Sequence, residues 1–184
     1  REGIPVKNAG YDSTGRGTLG SAFARVFKDR TPVPVEFGGR PTPRPVRHDL
    51  FVGEREDRRL KRCDEHYYDF VSELWFSVRY IIESDQLREL PEDVMREGCA
   101  REYGTSKGNK FFVESKHDPK ARERMGRSPD LFDWLATACE GARQRGFKIQ
   151  RLGAELTESV EEDWFDIEAR KYEDVLKSKM LVHA

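Results

Sequence analysis

Apolar residues in this chain come in short clusters separated by charge, and their spacing predicts alternating strands and helices. IPVKNAGYD (4–12) reads as a short strand ending in Asp12. STGRGTLG then turns the chain, and SAFARVFKD continues as a helix with Ala22, Phe23, Val26 and Phe27 on one side. PVPVEFGG (32–39) reads as a second strand, stopped by paired glycines. That order predicts a βαβ unit and hence a parallel strand pair in an α/β sheet. Residues 40–62, with three prolines and eight Lys/Arg against four Asp/Glu, read as an exposed extended excursion.

The clearest helical period runs from about Asp64 to Gln86 and carries Phe70, Leu74, Trp75, Val78, Ile81 and Ile82. Leu90-Pro91-Glu92 opens another helix, through Val94 and Met95 to Tyr103. Gly104 to Gly108 reads as a loop, KFFVES (110–115) as a strand and KHDPKARERMGR (116–127) as a basic loop. SPDLFDWLATACEGARQRG (128–146) reads as a helix with Ser128 as N-cap, Pro129 in the first turn and Gly146 beyond the end. On it Leu131, Trp134, Leu135, Ala138 and Ala142 form an apolar arc, widened by Phe132, Ala136 and Cys139.

At 184 residues the chain has room for one domain's core. Charged residues make up 36% of it, well above the usual quarter, which points to long solvated faces; 11 Phe, 6 Tyr and 3 Trp remain to anchor a core. No run approaches 18 apolar residues, which argues against a membrane-spanning helix. The net charge of −1 is unevenly spread. Residues 154–184 hold nine acids and four bases, so this stretch carries −5 and residues 1–153 carry +4. The division predicts a basic body (1–153) and an acidic, helical C-terminal extension (154–184). Cys63, Cys99 and Cys139 are an odd count without a CxxC pair, which fits a reducing cytoplasm. A start on Arg rather than Met fits a fragment or a processed product.

Candidate chemistry gathers at two places. Asp12 ends a predicted parallel strand, where α/β sheets bind ligands, although an Asx turn or a helix cap is an equally ordinary use of it. STGRGTLGS lacks the Gly-Lys-Ser/Thr ending of a nucleotide P-loop, which counts against a nucleotide-binding domain. Arg16 in that turn could meet a nucleic-acid phosphate. Asp130 and Asp133 form an i, i+3 pair on one helix face. Two such carboxylates are either an exposed polar strip or the oxygen ligands of Mg2+ or Mn2+. The basic run directly before them, with Lys116, Lys120, Arg122, Arg124 and Arg127, fits a polyphosphate ligand. His117 reads as a surface histidine, and Cys63-Asp-Glu-His66 lacks the second pair a zinc site needs.

At these residues the sequence resembles the nuclease domain of the large terminase subunit of tailed bacteriophages. The matching stretches are YDSTGRGTLGSAF (11–23), PVEFGGRPTPRPV (34–46), SELWFSVRYIIESDQL (72–87), LPEDVM (90–95) and above all ESKHDPKARERMGRSPDLFDWL (114–135). The resemblance implies an RNase H-like mixed sheet flanked by helices and an endonuclease that cuts concatemeric double-stranded DNA during packaging. In that family three acidic clusters hold two metal ions. Asp12 matches the second cluster, and Asp130 with Asp133 the third. The implied chemistry is a two-metal displacement on DNA, with ions about 3.5–4 Å apart. Arg16, Lys116, Lys120, Arg124 and Arg127 would hold the phosphates. The family's first acidic residue lies upstream of the segment that Asp12 ends. The resemblance therefore implies a chain without the first strands of the sheet and without the preceding ATPase motor. Implied partners are double-stranded DNA, the portal, the small terminase subunit and a separate chain carrying the ATPase and the missing strands, in the cytoplasm of a bacterial host and without a membrane. A fragment that binds DNA or portal without cutting is the alternative.

Overall fold

The parallel pair is present and short. In the computed structural model, which describes residues 5–14, 18–28, 32–54 and 56–150, strand β1 (Gly10–Asp12) pairs with β2 (Val33–Val35), Asp12 opposite Val35. The predicted strand over 4–12 loses its first half because Asn8 N–H donates to the Pro5 carbonyl at 2.7 Å, closing a 3-10 turn over Val6–Asn8. Helix α1 (Thr18–Phe27) connects the two strands. It rests on Tyr11 through Phe23, ring centroids 4.8 Å apart, with Phe27 stacked behind; Ala22 and Val26 stay exposed.

The charged excursion is held at both ends. Strands β3 (Phe51–Val52) and β4 (Arg59–Leu60) form a small antiparallel hairpin, and Pro45 bridges to Arg62. The single helix predicted over 64–86 is two. Helix α2 (Cys63–His66) stops where Tyr67 bridges to Phe111, and Asp69 then caps α3 (Phe70–Glu83) by accepting from Ser72 N–H at 2.8 Å. A side chain that caps a new helix cannot sit inside an old one. Five of the six predicted core residues of this stretch are buried; Ile82 lies at the exposed edge.

Helix α4 (Glu92–Ala100) ends earlier than predicted, because Tyr103 opens strand β5 (Tyr103–Thr105), antiparallel to β6 (Phe111–Val113). Ser72 Oγ accepts from Val113 N–H at 2.9 Å and fastens this hairpin to α3. Then come α5 (Pro119–Met125) and α6 (Asp130–Gln144). The chain is thus mixed α/β. Its strands form three separate two-stranded sheets among the described residues, and the core lies between α3, α6 and the sheets. Leu74, Trp75, Phe76 and Val78 of α3 meet Phe132, Leu135 and Ala136 of α6, with Val35, Val46 and Val113 closing the sides. Each such side chain contributes roughly 1.5–3 kcal/mol when fully buried. Gly98 lets α4 approach α6: a Cβ there would stand 2.3 Å from Phe132 Cε2. The expectation of a helical extension over 154–184 lies outside the described residues.

Candidate nucleic-acid interface

The basic stretch 116–127 is largely a helix rather than a loop. Asp118 Oδ1 accepts from Lys120 N–H at 2.9 Å and Ala121 N–H at 3.2 Å, Pro119 takes the first turn, and Gly126 ends α5 with φ +68°. Both end signals are in the sequence. What is missing is an apolar stripe, since Ala121 alone is buried.

Helix α6 begins differently from the prediction. Pro129 occupies the cap position, and Ser128 instead donates its hydroxyl to Asp130 Oδ1 at 2.6 Å. The first-turn amides of Leu131 and Phe132 donate to Glu97 Oε2 at 2.8 and 3.0 Å. Glu97, buried on α4, also pairs with Arg127 at 2.8 Å. A carboxylate from another helix thus supplies the negative charge that the dipole of α6 favours. The apolar arc is rotated as well. Leu131 (41% exposed) and Trp134 (66%) face solvent, as does Ala138, and the buried face is Phe132, Leu135, Ala136, Thr137, Glu140, Gly141 and Arg143.

The two acids of α6 differ in setting. Asp130 is exposed. Asp133 is three-quarters or more covered: its Oδ1 accepts from Trp75 Nε1 at 3.4 Å and its Oδ2 pairs with Lys116 Nζ at 2.9 Å. Behind them Arg101 lies over the Trp75 ring, 4.4 Å from its centroid, and donates through Nε to the Glu114 carbonyl at 3.0 Å. Burial disfavours the Arg101 charge, while Asp133, Glu114 and Asp69 act in the opposite direction.

Asp12 is exposed and turns on its own loop, accepting from Thr14 N–H at 2.8 Å, which is an Asx turn. Thr14 Oγ1 in turn accepts from Phe37 N–H at 2.9 Å. Helix α6 packs on the strand pair through Thr137, whose Cγ2 lies 3.5 Å from where a Gly10 Cβ would stand. The Asp12 hydrogen bond stays within its own loop, and among the described residues no group of three or more His, Cys, Asp or Glu is placed to hold a metal ion.

Of the predicted DNA contacts, Lys120 is exposed on α5. Arg124 is committed to protein: it pairs with Glu102 at 3.5 Å and with Glu114, and donates to the Ala100 carbonyl at 3.1 Å. Lys116 and Arg127 are paired as above, and Arg16 lies outside the described residues.

Sequence reasoning missed a buried ionic cluster at the other end of α6. Glu73 is fully buried and Glu140 nearly so. Arg143, with a side chain 4% exposed, reaches Glu73 at 3.2 Å and Glu140 at 3.7 Å, and donates to Ser77 Oγ at 2.6 Å. Arg44 donates to both Glu140 oxygens at 2.8 Å and to Glu73 at 3.3 Å; Thr42 gives Glu73 an N–H at 2.6 Å and a hydroxyl at 2.7 Å. Two acids and two guanidiniums cancel. Burial pushes the Cys63 thiol beside them up to about 12, with Glu73 adding to the effect. Nothing in spacing marks such a cluster, because its members lie up to a hundred residues apart.

No protein-family model matches the chain, and no curated protein sequence matches it either. Among the described residues no helix is long and apolar enough to cross a membrane.

Proposed function

We propose that this chain is an RNase H-like nuclease domain of the kind found in the large terminase subunits of tailed phages, acting on double-stranded DNA at the N-terminal end of α6. The observation that carries the reading is the placement of Asp130 and Asp133 on the first turn of that helix, next to the basic helix α5, with α6 packed on a parallel strand pair that ends in Asp12. Carboxylate oxygens suit Mg2+ or Mn2+. Asp133 Oδ2 pairs with the Lys116 ammonium, which a metal ion would have to displace. On this reading Asp12, Asp130 and Asp133 would hold the metal only if Asp12 left the Thr14 amide on which it turns, and a bound ion would supply Lewis-acid activation of the phosphodiester. The chain's own residues position the DNA through exposed cations and keep Asp133 oriented through Trp75.

Parallel pairs normally sit inside larger covered sheets, and β1 pairs with β2 alone among the described residues. This supports a further strand supplied by another polypeptide, which with the portal and the small terminase subunit makes up the proposed set of partners, in a bacterial host's cytoplasm. A second reading, a fragment that binds DNA or portal without cutting, is favoured by Asp133 being occupied by both Lys116 and Trp75. Plasmid nicking in Mn2+ separates the two. The nuclease reading expects cutting by wild type that is lost in Asp130→Ala and Asp12→Ala. Cutting that survives both substitutions removes the site, and DNA binding without cutting by wild type leaves the second reading.

A further inference from the structure

Where α5 turns into α6, the surface folds inward into a cavity of about 160 Å3 lined by Lys116, His117, Arg122, Gly126, Arg127 and Ser128. That is well below the ~300–1,000 Å3 of sites that enclose drug-sized ligands, and suits one small oxyanion with some water. No side chain on its wall is acidic, and Lys116, His117, Arg122 and Arg127 are nitrogen bases, while the Ser128 hydroxyl is given to Asp130. Two of the cations are shared with carboxylates outside the wall, Lys116 with Asp133 at 2.9 Å and Arg127 with Glu97 at 2.8 Å. The third differs. Arg122 makes no ion pair among the described residues, although its neighbours on α5 and α6 carry carboxylates, and α5 directs it into this cavity. The wall therefore keeps a surplus of positive charge that the protein leaves uncompensated. At the floor, Gly126 in the left-handed region has nothing within 4 Å of a Cβ position, so the backbone there is open to a ligand.

We propose that this cavity seats one tetrahedral oxyanion, a phosphate of the DNA backbone, held by Arg122 with Lys116 and Arg127. The oxyanion chemistry follows from the wall, and its source as DNA rests on the function proposed above. The seat selects Arg122, which spacing alone does not distinguish, and leaves out Lys120 and Arg124. Lys116 joins the seat to the acid pair: a phosphate that draws the ammonium toward itself releases Asp133 Oδ2.

The test uses the full chain in EDTA. Inorganic phosphate is titrated against the 15N-labelled protein, and duplex DNA binding is followed by fluorescence anisotropy across a range of salt. Phosphate is expected to shift the amides of residues 116–128. Arg122→Gln should weaken phosphate binding about tenfold and lower the salt slope of DNA binding by about 1, with Lys107→Gln, on a distant hairpin, as the charge-matched control for phosphate. Arg122 is exposed and makes no ion pair among the described residues, so its loss should leave the fold intact; an unchanged amide spectrum outside 116–128 verifies this. Phosphate binding as tight in Arg122→Gln as in Lys107→Gln, or no shift in 116–128, overturns the seat even if DNA binding survives. Phosphate binding by wild type without any DNA binding keeps the seat and removes DNA as its source.

Discussion

Helix α6 carries an ionic cluster at each end, and the two are built in opposite ways. Toward its C-terminus Glu140 and Arg143 join Glu73 and Arg44 in a cluster that is closed to water at three of four side chains, cross-bonded and neutral. Toward its N-terminus Asp130 is exposed and Asp133 pairs with Lys116, which with Arg122 and Arg127 lines an open cavity. A buried neutral cluster has nothing left to offer a ligand, and its worth lies in fixing the Thr42–Arg44 segment against α3 and α6. The open cluster contributes little to holding the fold together and keeps its charge available. The chemistry of side chains is nearly the same at both ends; burial and charge balance decide which end is structural and which can bind.

The closed end should be the more fragile. Arg143→Met removes one cation and leaves Glu73 and Glu140 to Arg44 alone, an uncompensated buried carboxylate. A loss of about 3–5 kcal/mol is expected in urea unfolding. Arg44→Met should cost less, because its side chain is 28% exposed and water can take its place. Equal losses would mean that burial does not set the difference.

Added charge tests the packing around α2. His66 is buried between Tyr67 and Phe111, its Nδ1 finds no partner among the described residues, and desolvation, then Lys61 and Arg47, lower its pKa to about 4. The unfolded chain binds the proton near 6.5 and the folded one only near 4, so the unfolded state gains protons first as pH falls. This contribution is complete above 6.5 and is lost between 6.5 and 4, by at most ~3 kcal/mol. Unfolding midpoints at pH 7 and pH 4.5 should diverge in wild type and draw together in His66→Phe.

At the open end stands Glu97, a buried acid on α4. Glu97→Ala strips the acceptor from the Leu131 and Phe132 amides and the partner from Arg127, for an expected ~1–3 kcal/mol. Glu97→Gln keeps an oxygen for the amides and should recover most of that in thermal melts.

How much of this could be read in advance follows from the same contrast. The period of Phe70, Leu74, Trp75, Val78 and Ile81 announces α3, and strand–turn–helix–strand announces the parallel pair, because each depends on neighbours in sequence. The i, i+3 spacing of Asp130 and Asp133 is legible for that reason too. The partners of Asp133 are not: Trp75 is 58 residues away and comes within reach only once α3 and α6 pack. The rotated face of α6 has the same cause. An apolar count places Leu131, Trp134 and Ala138 inside and gives the charges of Glu140 and Arg143 no place there. The packed helix reverses this, because the two charges find Arg44 and Glu73, which no local pattern could supply. Among the described residues three separate two-stranded sheets stand where a single mixed sheet was the expectation, since strand pairing beyond βαβ depends on contacts that spacing does not encode.

The smallest stability effect expected is at Asp133, and it separates the two ends most directly. Asp133→Asn keeps the shape of the side chain and an oxygen for Trp75 Nε1, and leaves Lys116, 38% exposed, to be solvated. The loss should stay under ~1 kcal/mol, as for other partly exposed pairs. Binding should move the other way. With one negative charge gone and the Lys116 ammonium released, metal-free affinity for duplex DNA should rise, with a salt slope steeper by up to about 1. A stability loss as large as that of Arg143→Met would show that the N-terminal cluster is also structural. Unchanged DNA affinity would place the nucleic acid elsewhere. The pairing of a small loss in folding with a gain in binding is what distinguishes an open cluster from a closed one, because only an open cluster can exchange a protein partner for a ligand without leaving a buried charge behind.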